Sequence, residues 1–166
     1  PRVQKVYSSP LKRCTETADI LFKDRELMTV DGLREMDFGD FENQSVEDLI
    51  DLDCYKEWLK GGVDNAPPEG ESIRQMVERS YNALNEIILD MMKEGLTHCA
   101  VVTHSGIIMN MLSCFGLPKM KPMEFACEAG EGFEIVITAM LWQTGNVFEI
   151  LGRIPYVSEF DDGYDF

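Results

Sequence analysis

Two short polar turns combine residue types that could bind an anion such as a phosphate group. The first is "SSPLKR", Ser8 to Arg13, and the second is "HSG", which begins at His104. An arginine presents a planar fork of N–H donors, and a histidine can hold or release a proton near neutral pH. A glycine at position 106 would let the backbone approach a bound group closely.

The predicted secondary structure places both turns at the ends of strands. Val3 to Ser8 is predicted to be a strand, and "HCAVVT", His98 to Thr103, has the continuous apolar character of a central parallel strand. The carboxyl ends of parallel strands meet at one edge of a sheet, and a helix that follows offers free N–H groups there. We therefore expect Arg13, His104 and the helix start at Ser105 to share one anion.

The remaining pattern alternates helices with strands. Ser9 is predicted to cap a first helix through Phe22, and Ser72 with Gln75 forms a capping box before a long amphipathic helix. The other predicted elements are a short strand at 27–30, helices at 45–52, 55–59 and 107–115, and a hairpin of 133–141 and 147–151 around "WQTGN". Together they predict an α/β fold with a largely parallel sheet flanked by helices, in a single domain of residues 1–166. The acidic tail, 158–166, is predicted to be a surface or frayed end.

The composition excludes several classes of partner. Fifteen Lys and Arg against 30 Asp and Glu give a net charge of −15, so nucleic acid and membrane surfaces are not expected to bind. The five cysteines follow no metal-binding spacing. The sequence also has no apolar run near 18 residues. Together these features predict a protein of the reducing cytoplasm.

Four segments in this order resemble the histidine phosphatase superfamily, also called the phosphoglycerate-mutase-like family. They are "VYSSPLKRCTETADIL", "LREMDFGDFE", "PEGES" and "VVTHSGII", and they are most similar to the phosphatase branch. The resemblance implies a three-layer sandwich and hydrolysis of a small phosphomonoester through a phosphohistidine. It implies that Arg13 holds the phosphoryl group, that His104 binds and stabilises it, and that Glu35 protonates the leaving alkoxide. It implies no metal, and we expect no other cofactor.

The sequence departs from the family in one respect. The family's "RHG" motif, which carries the nucleophilic histidine, is absent, and the two histidines are His98 and His104. We therefore expect an incomplete domain that lacks the N-terminal strand and helix and is inactive alone. The open sheet edge would be covered by the missing segment or by self-association.

Three other functions stay open at this point. A catalytically dead phosphate-binding or regulatory relative would also keep the anion pocket, although it would have no use for the acid Glu35. A phosphoglycerate mutase would need a larger loop apparatus, and an acidic interaction module would make the motif order a coincidence. The acids Asp51, Asp53, Glu57 and Asp64 would disfavour highly anionic substrates if they face the pocket, and otherwise they form a solvated surface.

Overall fold

The structure is a computed structural model that describes residues 2–156. The chain divides into two compact units, Pro1–Ile107 and Ile108–Phe166. The single domain of residues 1–166 stays a prediction. The tail predicted to be frayed, 158–166, lies outside the described residues.

The N-terminal unit contains a three-stranded parallel sheet. Its strands are β1 (Lys5–Ser8), β2 (Glu26–Thr29) and β3 (Cys99–Val102), in the order β2-β1-β3. Ser8 is in register with Thr29 on one side and with Val102 on the other, so the three strands end at the same edge. The predicted parallel sheet is confirmed, and the turns after β1 and β3 begin side by side.

Five α-helices begin within the described part of this unit. They are α1 (Lys12–Leu21), α2 (Val46–Leu49), α3 (Asp53–Lys60), α4 (Ile73–Glu94) and α5 (Ser105–Phe115), the last of which spans the boundary between the units. All four residues of β1 are buried, and α1 lies against β1 and β3. The buried core joins α4 to β1 through Tyr7, Val30, Leu33, Ala83 and Ile87. The unit is therefore a mixed α/β structure with a parallel sheet flanked by helices, as the alternation of patterns predicts.

Helix α4 begins and ends where the sequence indicates. The hydroxyl of Ser72 accepts a hydrogen bond from the Gln75 N–H, and the Gln75 side chain accepts one from the Ser72 N–H. The helix ends at Gly95, whose φ of 68° lies in the left-handed region that glycine adopts without strain. The predicted capping box is confirmed.

Helix α1 begins later than the Ser9 cap predicts. Its first residue is Lys12, and the N-cap position is held by Leu11 without a side-chain hydrogen bond. The hydroxyl of Ser9 instead accepts a hydrogen bond from the Leu11 N–H at 3.3 Å. The predicted cap is wrong because this hydroxyl closes the turn between the strand and the helix.

The C-terminal unit holds β4 (Gly116–Leu117), β5 (Gly132–Val136), α6 (Ala139–Gly145) and β6 (Phe148–Ile154), with strand order β4-β6-β5. β5 and β6 are antiparallel, but the predicted hairpin around "WQTGN" is wrong because α6 connects them. The Thr138 hydroxyl caps this helix by accepting from the Leu141 N–H, and Asn146 ends it at a φ of 51°. Among the helices of residues 2–156, none combines the length and apolar composition needed to cross a bilayer.

Candidate functional site

The turn after β1 brings α1 to the end of β3. The Ser9 N–H donates to the Val102 carbonyl at 2.9 Å, and the Ser8 hydroxyl donates to the Ser9 carbonyl at 2.9 Å. Both serines are fully buried, so their hydrogen bonds are shielded from water. This fixed turn places Arg13 at the second position of α1, where its side chain is exposed.

His104 follows β3 and is buried, with 6% of its surface exposed. Its Nε2 lies 2.9 Å from the Ser9 hydroxyl oxygen and 3.5 Å from the sulfur of Cys14. Burial lowers the pKa of His104, with a smaller opposing effect from the Glu35 charge. The imidazole is therefore neutral at pH 7 and can both donate and accept a hydrogen bond.

Glu35 lies in an irregular loop and points at the first turn of α5. Its Oε1 accepts from the Met36 N–H at 2.9 Å, and its Oε2 accepts from the Gly106 N–H at 3.4 Å. A Cβ atom at position 106 would lie 2.5 Å from the Glu35 Oε1. The group that closely approaches Gly106 in the structure is therefore this carboxylate, and the predicted approach of a bound anion stays a prediction.

A cleft of about 670 Å³ opens beside these residues. Arg13 and Glu35 both line it, whereas His104 and Ser105 are not among its lining residues within the described part of the chain. The other lining residues are Leu11, Asp31, Arg34, Met36, Asp37, Phe38, Glu42, Gly70, Glu71, Gln75 and Arg79. The structure therefore brings Arg13 and Glu35 to one cleft and leaves His104 buried next to Ser9.

The four acids that would have opposed anionic substrates if they faced the pocket lie elsewhere. Asp51, Asp53, Glu57 and Asp64 do not line the cleft, and Asp64 instead forms an exposed ion pair with Arg74. The acidic residues that line the cleft are Glu71 and four residues of the segment 31–42. Several are already engaged: one Asp37 oxygen accepts from the Gly39 N–H, and one Glu42 oxygen accepts from the Phe38 N–H.

Sequence reasoning missed Arg79, which holds the loop that contains Glu35. Its guanidinium donates to the carbonyl oxygens of Gly32, Arg34 and Glu35 and to the carboxylate of Glu71. A signal was present in the helical pattern. Position 79 lies three residues after the buried Met76 and four before the buried Ala83, on the face of α4 that packs inward. An arginine on that face needs a buried partner.

Two further observations concern a buried thiol and metal binding. Cys14 is buried beside His104, and burial raises the pKa of its thiol, which keeps it protonated and unreactive. Within residues 2–156, no three His, Cys, Asp or Glu side chains are grouped so that they could hold a metal ion.

Comparison with known proteins identifies the family. A model of the histidine phosphatase superfamily, branch 1, matches residues 1–144. "Phosphoglycerate mutase-like protein 4" of Arabidopsis thaliana is 31% identical over 116 residues, which are 66% of this chain and 49% of that protein. The chain spans about half the length of the curated relatives that it matches.

Solved structures share the fold. The alpha-ribazole phosphatase from Shigella flexneri superimposes with a TM-score of 0.66 at 23% identity, over 82% of this chain and 68% of that one. A mycobacterial glucosyl-3-phosphoglycerate phosphatase in complex with inorganic phosphate gives a TM-score of 0.58 at 21% identity, over 68% and 58% of the two chains. With a family model matching most of its length, this chain belongs to the histidine phosphatase superfamily.

Proposed function

We propose that the protein acts as a phosphatase on a small phosphomonoester, with Arg13, His104 and Glu35 as its working residues. The observation that carries the proposal is the geometry around the cleft. Arg13 and Glu35 line the same cleft, and the charges of both reach the buried His104, whose pKa responds to each of them. Arg13 and His104, which can both bind a phosphoryl group, thus lie near Glu35, which can donate a proton to the leaving group.

The chemistry assigned to these residues is mostly positioning and charge neutralisation. The Arg13 guanidinium and the neutral His104 imidazole would donate to phosphoryl oxygens, helped by Ser105 and the N–H groups at the start of α5. Glu35, once it has taken up a proton from water, would give that proton to the leaving alkoxide as the P–O bond breaks and a P–N bond to the nucleophilic histidine forms. General acid catalysis of this kind contributes typically about 10²–10⁴-fold to a rate.

The nucleophile is the missing component. The family resemblance implies a phosphohistidine, yet neither of the two histidines stands in an "RHG" motif. His98 is exposed and precedes β3, at the end of the strand opposite to the cleft. We propose that turnover requires a histidine from outside residues 1–166, and that this chain alone binds phosphate without hydrolysing an ester.

A mutase is the second candidate. Its support is the likeness to a plant phosphoglycerate mutase-like protein. A phosphate-binding homologue without activity is the third candidate, and the presence of Glu35 argues against it.

The proposal also includes a cytoplasmic location, which the five unpaired cysteines support because such thiols are typical of a reducing compartment. It further includes pairing of the free edge of β3 by another strand.

Calorimetric binding of inorganic phosphate tests the anion site. We expect the Arg13→Ala and His104→Ala variants each to bind phosphate at least about tenfold more weakly, because each loses a hydrogen bond to a charged group. Lys23→Ala, which removes an exposed cation outside the site, is the matched control and should bind as the wild type does. Unchanged affinity in both site variants would refute the shared anion.

A further inference from the structure

The Arg79 side chain uses all of its hydrogen-bonding capacity on one loop and one carboxylate. Its Nη1 donates to the carbonyl oxygens of Gly32 and Arg34, each at 2.8 Å. Its Nη2 donates to the Glu35 carbonyl at 2.9 Å and to the Glu71 Oε1 at 2.6 Å, and its Nε donates to the Glu71 Oε2 at 3.0 Å. A guanidinium has five N–H donors, and each has an acceptor here.

Glu71 extends this arrangement to the far end of the loop. Its Oε1 also accepts from the Asp37 N–H at 3.0 Å, and its own N–H donates to the Asp37 carbonyl at 2.9 Å. The segment 32–37 is therefore fastened near both ends, by Arg79 and by Glu71. We call Arg79 and Glu71 the clamp. Their side chains are 27% and 17% exposed, so water competes only partly for the bonds.

The clamp acts on a segment that has little regular structure of its own. Residues 34–38 belong to neither a helix nor a strand, and the backbone there depends on such side-chain contacts for its shape. Glu35 stands at the centre of this segment. While the clamp holds its carbonyl, its carboxylate points at the first turn of α5, next to the Gly106 N–H.

We propose that Arg79, braced by Glu71, is a positioning residue that fixes the Glu35 carboxylate beside the anion site. The inference rests on the proposed function, since it assumes that Glu35 works on an anion held by Arg13 and His104. Lysine cannot replace Arg79 in this role. A single ammonium group cannot reach three carbonyl oxygens and bind a carboxylate through two parallel bonds.

The test measures how strongly Glu35 influences a bound anion when the clamp is intact and when it is broken. Inorganic sulfate is the probe because its charge stays constant around neutral pH. With the clamp intact, Glu35→Gln removes a negative charge near the site and should tighten sulfate binding about threefold to fivefold at pH 7.5. In the Arg79→Lys background the same substitution should change affinity by less than about 1.5-fold, because the loop no longer holds the carboxylate near the anion.

Arg74→Lys is the matched control. Arg74 lies on the same helix and forms an exposed ion pair with Asp64, outside the clamp. In that background Glu35→Gln should keep its full effect on sulfate binding. Glu71→Gln serves as a second way to weaken the clamp should Arg79→Lys fail to fold, and it should likewise reduce the effect of Glu35→Gln.

The outcomes separate this inference from the proposed function. An equal effect of Glu35→Gln in the wild-type, Arg79→Lys and Glu71→Gln backgrounds would overturn the positioning role and leave the phosphate site intact. No effect of Glu35→Gln in the wild type would also overturn it, because Glu35 would then not lie beside the anion. A failure of the proposed function would appear separately, as unchanged phosphate affinity in Arg13→Ala and His104→Ala.

Discussion

The burial of His104 makes the stability of the protein depend on pH. Burial lowers the pKa of His104 in the folded chain below its unfolded value of about 6.5. On unfolding below that pH, the exposed imidazole takes up a proton that the buried one does not bind. The free energy of unfolding is therefore expected to fall as the pH drops from 7.5 through 6.5, by at most about 1.4 kcal/mol per pH unit from this one group.

Urea unfolding of the wild type and of His104→Gln at pH 7.5, 6.5 and 5.5 measures this dependence. The variant should lose less stability than the wild type over that range, since carboxylates contribute equally to both. His98→Gln is the control for loss of a histidine in general, because His98 is exposed. A His104→Gln variant with the full pH dependence of the wild type would contradict the assignment.

At the scale of single residues, the sequence predicts the parts of the site that depend on local order. Arg13 and Gly106 follow strand ends, and one helical turn fixes where each stands relative to the sheet edge. Arg79 was missed because the three carbonyl oxygens that it binds lie 44 to 47 residues away, in a loop whose path no periodicity describes. The contact of His104 with Ser9 spans 95 residues and likewise depends on the pairing of β1 with β3.

At the scale of elements, prediction succeeded where the periodicity was long and the ends were marked. Helix α4 has 22 residues, a capping box and a terminal glycine, so pattern and boundary signals agree. It failed at α6, which has seven residues. A short apolar run before a "TGN" turn signal fits a strand as well as a helix. In the structure it forms a helix, which the Thr138 hydroxyl caps by accepting from the Leu141 N–H.

An ion cluster connects three of these elements. The Lys5 ammonium on β1 lies 2.8 Å from Asp90 and 3.1 Å from Glu94 on α4, and 3.0 Å from Glu26 on β2. The Tyr7 hydroxyl donates to the same Asp90 oxygen at 2.8 Å. The hydrogen bond to Asp90 raises the pKa of Lys5 against the opposing effect of burial, so the ammonium stays charged in the fold.

Lys5→Met tests how much this cluster contributes to the docking of α4 on the sheet. We expect the free energy of unfolding to fall by about 1–3 kcal/mol, because carboxylates would remain together without their cation. The carboxylates keep partial access to water, which limits the loss. Urea unfolding measures the change.

Lys12→Met is the control for loss of a lysine in general. Lys12 and Glu16 form an i,i+4 ion pair on the surface of α1, with both side chains largely exposed. Its removal should change stability by less than about 0.5 kcal/mol. Equal stability of the two variants would show that the Lys5 cluster contributes no more than a surface pair.

At the scale of the whole molecule, the acidity of the chain would have to coexist with the proposed anion binding. The chain carries a net charge of −15, and yet the cleft holds three arginines, of which Arg34 is paired with Asp31 and Arg79 with Glu71. Arg13 is the lining arginine for which no side-chain ion pair is formed within the described residues. On the proposed function, a phosphoryl group would be attracted to one local cation, while the surrounding charge would oppose its approach from a distance.

The β3 edge of the parallel sheet is the feature that bears most on assembly. Among the described residues of the N-terminal unit, β1 is flanked by strands on both sides, whereas the two edge strands, β2 and β3, each pair with β1 alone. The Gln4 N–H donates to the His98 carbonyl and the Ser9 N–H donates to the Val102 carbonyl. Since successive residues of a strand direct their backbone groups to opposite sides, the N–H groups of Cys99 and Val101 point away from β1. Val101 is 43% exposed, although a strand of a parallel sheet is normally covered.

We therefore expect the 166-residue chain on its own to pair this edge with a second copy. Light scattering at rising concentration should show a mass approaching twice 18.9 kDa, and the Cys99 and Val101 amides should become protected from hydrogen exchange. Val101→Lys should restore the monomer, because a charged side chain on an edge strand disfavours pairing. Leu89→Lys, at an exposed apolar position of α4, should leave the mass unchanged. A monomer at every concentration, with rapid exchange at both amides, would show that the edge stays open in this chain.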